Sequence, residues 1–256
     1  MTELIDQTAA FRAAFARAQA IVTVPVPGGA VVADPDFPSS QEHNQLLLDG
    51  VPGDPAELPA LAARVLGDRR TYRITVLDEA FGEAAAPALR AAGYRRETEV
   101  VLARSTDDAV PPAEPAVPVG LPELRPALLR YQEQWLPGDE LAEVRRQLTD
   151  RRSRRRRGAA QVEFLAVRGA DGAVAGWGDL YLDPARGLAQ LEDVATAARY
   201  ARQGHADRLL ATALARAAAA GCHRLFLLAD AEDWPQHWYG RRGFVPIGRT
   251  HAFVKR

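Results

Sequence analysis

The sequence predicts an α/β protein of two domains, each a central mixed sheet flanked by helices. Three observations carry this. A proline-rich segment divides the 256 residues into two parts of domain size, both parts end in the same strand, helix, glycine, strand order, and the second part shows the full element order ααβββαβαβ. The segment is Thr106–Pro122, where five prolines remove backbone donors and favour extended chain. Domains are therefore expected over 1–105 and 123–256, with a linker over 106–122.

In the first part, Arg73–Asp78 is strand-like, Ala80–Ala92 helix-like, and Gly93-Tyr94 precedes a strand over Thr98–Ala103. In the second part, Leu124, Leu128, Leu129 and Trp135 have helical spacing, as do Leu141, Val144, Arg145 and Leu148. Strands over Glu163–Arg168 and Ala173–Leu182 flank the turn Gly169–Gly172, whose Asp171-Gly172 pair is a hairpin signal. A strand over Leu188–Thr196 leads through Gly204 into a helix over Ala206–Ala220, which carries Leu209, Leu210, Ala213, Leu214 and Ala217 on one face. The ending repeats that of the first part: strand Arg224–Asp230, helix Pro235–Arg242, Gly243-Phe244, strand Thr250–Lys255. The match implies an internal duplication of about 150 residues, in which Leu89 is the counterpart of Tyr239.

Composition narrows the function. Acidic and basic residues nearly cancel, at 33 and 32, for a formal net charge of −1. No apolar run approaches the roughly 18 residues of a membrane span, and the acidic N-terminus lacks the features of a secretory signal. One cysteine, Cys222, excludes an intramolecular disulfide and any multi-cysteine metal site. The five histidines have no metal-ligand spacing, so no metal is expected. These features point to the cytoplasm and to no membrane partner. The run Arg151–Arg157 contains no interleaved aromatic residue for base stacking and falls at a helix end, where cations complement the dipole; it reads as a solvated helix end, not a nucleic-acid site.

The richest stretch is Leu191–Leu210. A strand stops, the chain turns through Gly204, and a long helix begins. The first N–H groups of that helix lack partners within it and lie at the positive end of its dipole, which suits a phosphate. Gly204 and Ala206 allow close backbone approach, and Arg202 adds charge. On its own a strand–Gly–helix turn is common in α/β proteins.

This stretch resembles the phosphate loop of the GCN5-related N-acetyltransferase (GNAT) family, Arg/Gln-x-x-Gly-x-Gly/Ala, which follows the family's fourth strand. The chain reads Ala201-Arg-Gln-Gly-His-Ala206, so the first motif position is alanine. The family's Leu-Tyr-x-x-x-Gly-Phe also has a match in Trp238-Tyr239-Gly-Arg-Arg-Gly243-Phe244. The resemblance covers 123–256 and implies two acyl-CoA N-acyltransferase-like domains, with a degenerate first one. There Asn44–Asp49 would be the fourth strand and Pro55–Leu66 the helix after it, and the connecting loop Gly50–Pro55 has two prolines and no basic residue, so no cofactor is expected to bind.

The resemblance implies acetyl-CoA as cosubstrate and an amine of a small molecule as acceptor. The pantetheine arm would pair with Val194, Ala195 and Thr196, an N–H of that strand would polarise the thioester carbonyl, and the pyrophosphate would sit on Arg202, Gln203, Gly204, His205, Ala206 and Asp207. Tyr239 is the candidate general acid for the departing thiolate, since a phenol has a suitable ordinary pKa near 10. Glu192 and Asp193 are the candidate bases. Strand alternation sends them to opposite faces, and Glu192, expected on the face of Val194 and Thr196, is preferred. Trp177, Asp179 and Tyr181 share one face of a strand. They line either an acceptor pocket, with Asp179 holding an ammonium, or a solvent or interdomain surface. Two other readings stay open: a non-catalytic CoA- or metabolite-binding protein, and a related fold with different acyl-thioester chemistry. Oligomeric state is not legible.

Overall fold

The computed structural model describes residues 2–67 and 72–255. The chain forms two compact units, one of residues 1–103 with 228–256 and the other of 104–227.

The first unit begins with α1 (Thr2–Gln19), a hairpin of β1 (Val22–Val26) and β2 (Gly29–Ala33), then β3 (Gln45–Leu48). A 3-10 turn, Pro55–Glu57, runs into α2 (Leu58–Leu66), followed by β4 (Tyr72–Val76), α3 (Glu79–Ala91) and β5 (Arg95–Ser105). Strands β1, β2 and β3 pair antiparallel in order, and β3 pairs parallel with β4.

The second unit holds β6 (Val117–Pro118), α4 (Leu121–Trp135), a 3-10 turn Asp139–Leu141, α5 (Ala142–Asp150) and α6 (Arg152–Arg155). Then come β7 (Gln161–Arg168), β8 (Val174–Asp183), β9 (Leu188–Thr196), a 3-10 turn Ala198–Tyr200, α7 (His205–Ala219) and β10 (Arg224–Asp230), which ends across the unit boundary. Its pairing repeats that of the first unit: β7, β8 and β9 are antiparallel neighbours, and β9 is parallel to β10. The expected linker is not free chain. Val117 pairs with Ala166 in an edge strand, where a proline such as Pro118 is tolerated, and Thr106 Oγ1 donates to the Cys222 carbonyl at 2.6 Å.

The chain then re-enters the first unit with α8 (Pro235–Gly240) and β11 (Val245–Lys255). Strand β11 lies between β4 and β5, antiparallel to both, with His251 opposite Val76 on one side and Thr98 on the other. The compact units therefore depart from the expected 1–105 and 123–256: residues 228–256 pack with the first part. Phe253 is buried with Leu46, Ile74, Phe81 and Leu89, a contribution of about 2–3 kcal/mol for a fully buried aromatic.

The expected repeated ending is visible in the backbone. After α3, Gly93 takes φ 87° and the N–H of Tyr94 reaches back to the Leu89 carbonyl at 3.0 Å; after α8, Gly243 takes φ 80° and Phe244 donates to the Tyr239 carbonyl at 3.3 Å. Both are Schellman closures, which need a left-handed residue that glycine supplies without strain. Among the described residues no helix is long and apolar enough to cross a membrane.

Candidate functional site

Strands β9 and β10 pair from Leu188–Arg224 to Gln190–Phe226, and their register ends there. Beyond it β9 continues through Leu191–Thr196, so the backbone of the expected pantetheine residues Val194, Ala195 and Thr196 has no β10 partner in that register. After the 3-10 turn, Ala201 is extended, Arg202 takes φ 64° and Gly204 φ 79°, and α7 begins. No side chain caps α7, and its first internal bond runs from Arg208 N to the Gly204 carbonyl. The leading N–H groups, of His205 and Ala206, therefore have no acceptor within the helix. A Cβ on Gly204 would meet nothing within 4 Å, so the space beside the backbone is open.

The loop is cationic but unevenly so. Arg199 stacks on the Tyr200 ring at 4.5 Å and lies 3.6 Å from Asp171, whose carboxylate accepts a hydrogen bond from the Tyr200 hydroxyl and thereby raises that phenol's pKa. Arg208 is tied to Glu114 at 3.1 Å. Arg202 has no ion-pair partner among the described residues and is exposed, as is Gln203. His205 points the other way, buried against the Tyr200 ring; burial first, and Arg208 second, lower its pKa. Its contribution to the loop is its backbone N–H.

The expected alternation of Glu192 and Asp193 fails. Between Trp177–Ala195 and Asp179–Glu192 the β8/β9 register shifts, leaving Gly178 opposite both Asp193 and Val194. Asp193 takes φ 52°, which resets the alternation. Glu192 faces the side of its partner Asp179, and Val194 faces the α7 side, where its Cγ2 would lie 3.5 Å from a Cβ on Gly178, beside Leu209. Glu192 and Asp193 thus reach the same face. Tyr181 shares it, fully buried, with its phenol pKa raised first by burial and further by Glu192, Asp179 and Asp193.

That face is neither a solvent surface nor an open pocket. Trp177, Asp179 and Tyr181 are all buried. Asp179 Oδ2 accepts from Arg152 Nε at 2.9 Å and from Arg155, and Asp193 Oδ2 accepts from Arg152 Nη2 at 2.8 Å and Arg155 Nη1 at 2.7 Å. Asp179 is already matched by guanidinium charge, and an ammonium-holding role does not fit it. Trp177 borders a recess of about 30 Å³, the size of one water and too small for an acceptor. The expectation of a solvated arginine run fails for Arg152 and Arg155, which are 4% and 0% exposed. A spacing of three puts both on one face of the helix.

Tyr239 sits on α8 in the first unit, 8% exposed, edge-on to Trp238 at 4.8 Å and Phe244 at 5.8 Å. Burial pushes its phenol up to about 12, so it holds its proton across the physiological range. Cys222 is a buried thiol with its pKa raised by burial, His237 is exposed, and no group of residues among those described could hold a metal.

Residues 126–244 match the model of the acetyltransferase (GNAT) family. This stretch is a GNAT domain. No curated protein matches the chain. Among solved structures, a GCN5-related N-acetyltransferase from Kribbella flavida is 17% identical, with TM-score 0.60 over 96% of this chain and 95% of that one. A conserved protein of unknown function from Staphylococcus epidermidis is 14% identical, with TM-score 0.65 over 91% and 92%. A tandem GNAT protein from the clavulanic acid biosynthesis pathway is 18% identical, with TM-score 0.51 over 78% and 67%. At these identities the likeness is one of fold, and for the first two it spans more than nine-tenths of both chains. The GNAT fold is that of acyl-CoA-dependent N-acyltransferases.

Proposed function

We propose that the protein transfers an acetyl group from acetyl-CoA to an amine of a small molecule by direct attack. The observation that carries this is the parting of β9 from β10 at Gln190 and Phe226, followed by an uncapped α7 entered through left-handed Gly204. The first gives an extended backbone free to pair with an amide-bearing chain; the second gives N–H donors for a pyrophosphate. Acetyl-CoA supplies the electrophilic thioester and a thiolate leaving group. Val194, Ala195 and Thr196 would hold its arm, and the backbone of Gly204, His205, Ala206 and Asp207, with Arg202 and Gln203, its phosphates.

Tyr239, protonated at all working pH values, would supply the proton to the thiolate. Glu192, half-buried on the strand that leads to the thioester, would accept the amine proton. Trp177 and Asp179 act in this reading by supporting β8 beneath the site. A thiol-release assay with acetyl-CoA, a panel of amines and a no-amine control tests it. Amine-dependent release supports transfer, release without amine indicates thioester hydrolysis, and binding without release indicates a non-catalytic CoA-binding protein.

A further inference from the structure

We propose that Arg152 and Arg155 are positioning residues for acyl transfer: through Asp193 they hold the β9 bulge in left-handed backbone and so set the direction of the Val194–Thr196 amides. The consequence for turnover rests on the functional reading above; the backbone effect does not.

The bulge needs an anchor. Asp193 is one of two non-glycine residues in the left-handed region among those described, a conformation that L residues adopt at a cost. Relaxed to ordinary alternation, β9 would gain one pairing step against β8, and every side chain and amide from Val194 onward would change face. Two guanidinium groups from one turn of α6 oppose this. Arg152 grips Asp179 through Nε and Asp193 through Nη2, and Arg155 bonds both carboxylates through Nη1. Asp179 stands opposite Glu192, immediately before the register jump, and Asp193 is within it. The helix thereby fastens both strands at the jump. Two arginines and two aspartates balance in charge, which lets Arg155 and Asp179 stay at 0% exposure. Opposite the bulge, Gly178 leaves room for Leu209 Cδ2, which would lie 2.7 Å from a Cβ there.

Three full-length variants test this by amide hydrogen exchange over residues 192–197. Asp193→Asn keeps the acceptor oxygen and tolerates left-handed backbone, so exchange should stay within about twofold of the original. Asp193→Ala loses both, and exchange should rise about tenfold, with kcat/KM for acetyl-CoA falling by a similar factor. Arg152→Lys keeps the charge balance but not the fork, and should raise exchange over the same residues by about threefold. Unchanged exchange in both Asp193→Ala and Arg152→Lys overturns the proposal. So does an Asp193→Asn chain with normal exchange but turnover as low as Asp193→Ala, which would make Asp193 a chemical base. If the unsubstituted chain releases no thiol with any amine, the functional reading fails while the exchange comparison still decides this one.

Discussion

The two helix-entry loops of the duplicated fold show how one backbone plan is kept while its chemistry is lost. In the second unit, β9 leads through Arg202 and left-handed Gly204 into α7, with no side chain at the helix start. In the first, β3 leads through Gly50–Pro55 into a 3-10 turn whose start is taken by Asp54, which accepts the Ala56 N–H at 2.9 Å. Pro52 and Pro55 offer no N–H, and Glu57 adds a second carboxylate beside the same shallow cleft. A phosphate would there meet two carboxylates against one guanidinium, that of Arg64, and a donor already used. The same contrast holds at the second motif, where Tyr239 has Leu89 as its counterpart within an identical Schellman closure. Backbone geometry depends on the glycine, and chemistry on the residue four positions before it.

The largest effect that sharpens this contrast is expected from Tyr239→Phe, which keeps the ring packing and removes the acid. Turnover should fall about a hundredfold with acetyl-CoA affinity unchanged, read by steady-state kinetics and calorimetry. Turnover at the original level would remove Tyr239 from the mechanism. Next, Gly204→Ala places a Cβ on left-handed backbone and should weaken acetyl-CoA binding about tenfold, a cost of roughly 1–2 kcal/mol. Calorimetry on the unsubstituted chain should give one acetyl-CoA per chain, and two would break the comparison outright. Asp54→Ala should lower stability by about 1 kcal/mol, seen in the urea midpoint, and leave acetyl-CoA binding untouched.

The smallest effect is a pH dependence. Burial, more than any charge, lowers the pKa values of His205 and His251 below the ordinary 6.5, so the unfolded chain takes up protons first as pH falls. The stability from both rings is complete above about pH 6.5 and declines through the window below it. The urea midpoint should drop between pH 7.5 and 5.5, and His251→Gln should flatten that slope.

Much of this was readable in the sequence. Glycines at helix ends marked both repeat endings, Asp171-Gly172 marked the β7/β8 turn, and apolar periodicity gave α7 its buried face. Three features were not readable, each for its own reason. The partner of β11 is a question of pairing between distant strands, and an apolar strand does not encode which edge it joins. The Asp193 bulge depends on a φ that sequence leaves open, so alternation misplaced Glu192 and Val194. The burial of Arg152 and Arg155 depends on two aspartates from different strands, while the run around them looks like any solvated helix end.

The insertion of β11 between β4 and β5 carries a consequence for how the protein is made. Phe253 fills the same core as Ile74 and Leu89, and His251 stands opposite Val76, so the first unit lacks a central strand until the ribosome has translated past residue 255. Until then β4 presents an open edge and its core a vacant place. Contacts of such long sequence separation slow folding and leave unpaired edges exposed to aggregation. The second unit needs nothing beyond residue 227, so the first unit, although begun earlier, is the later of the two to complete.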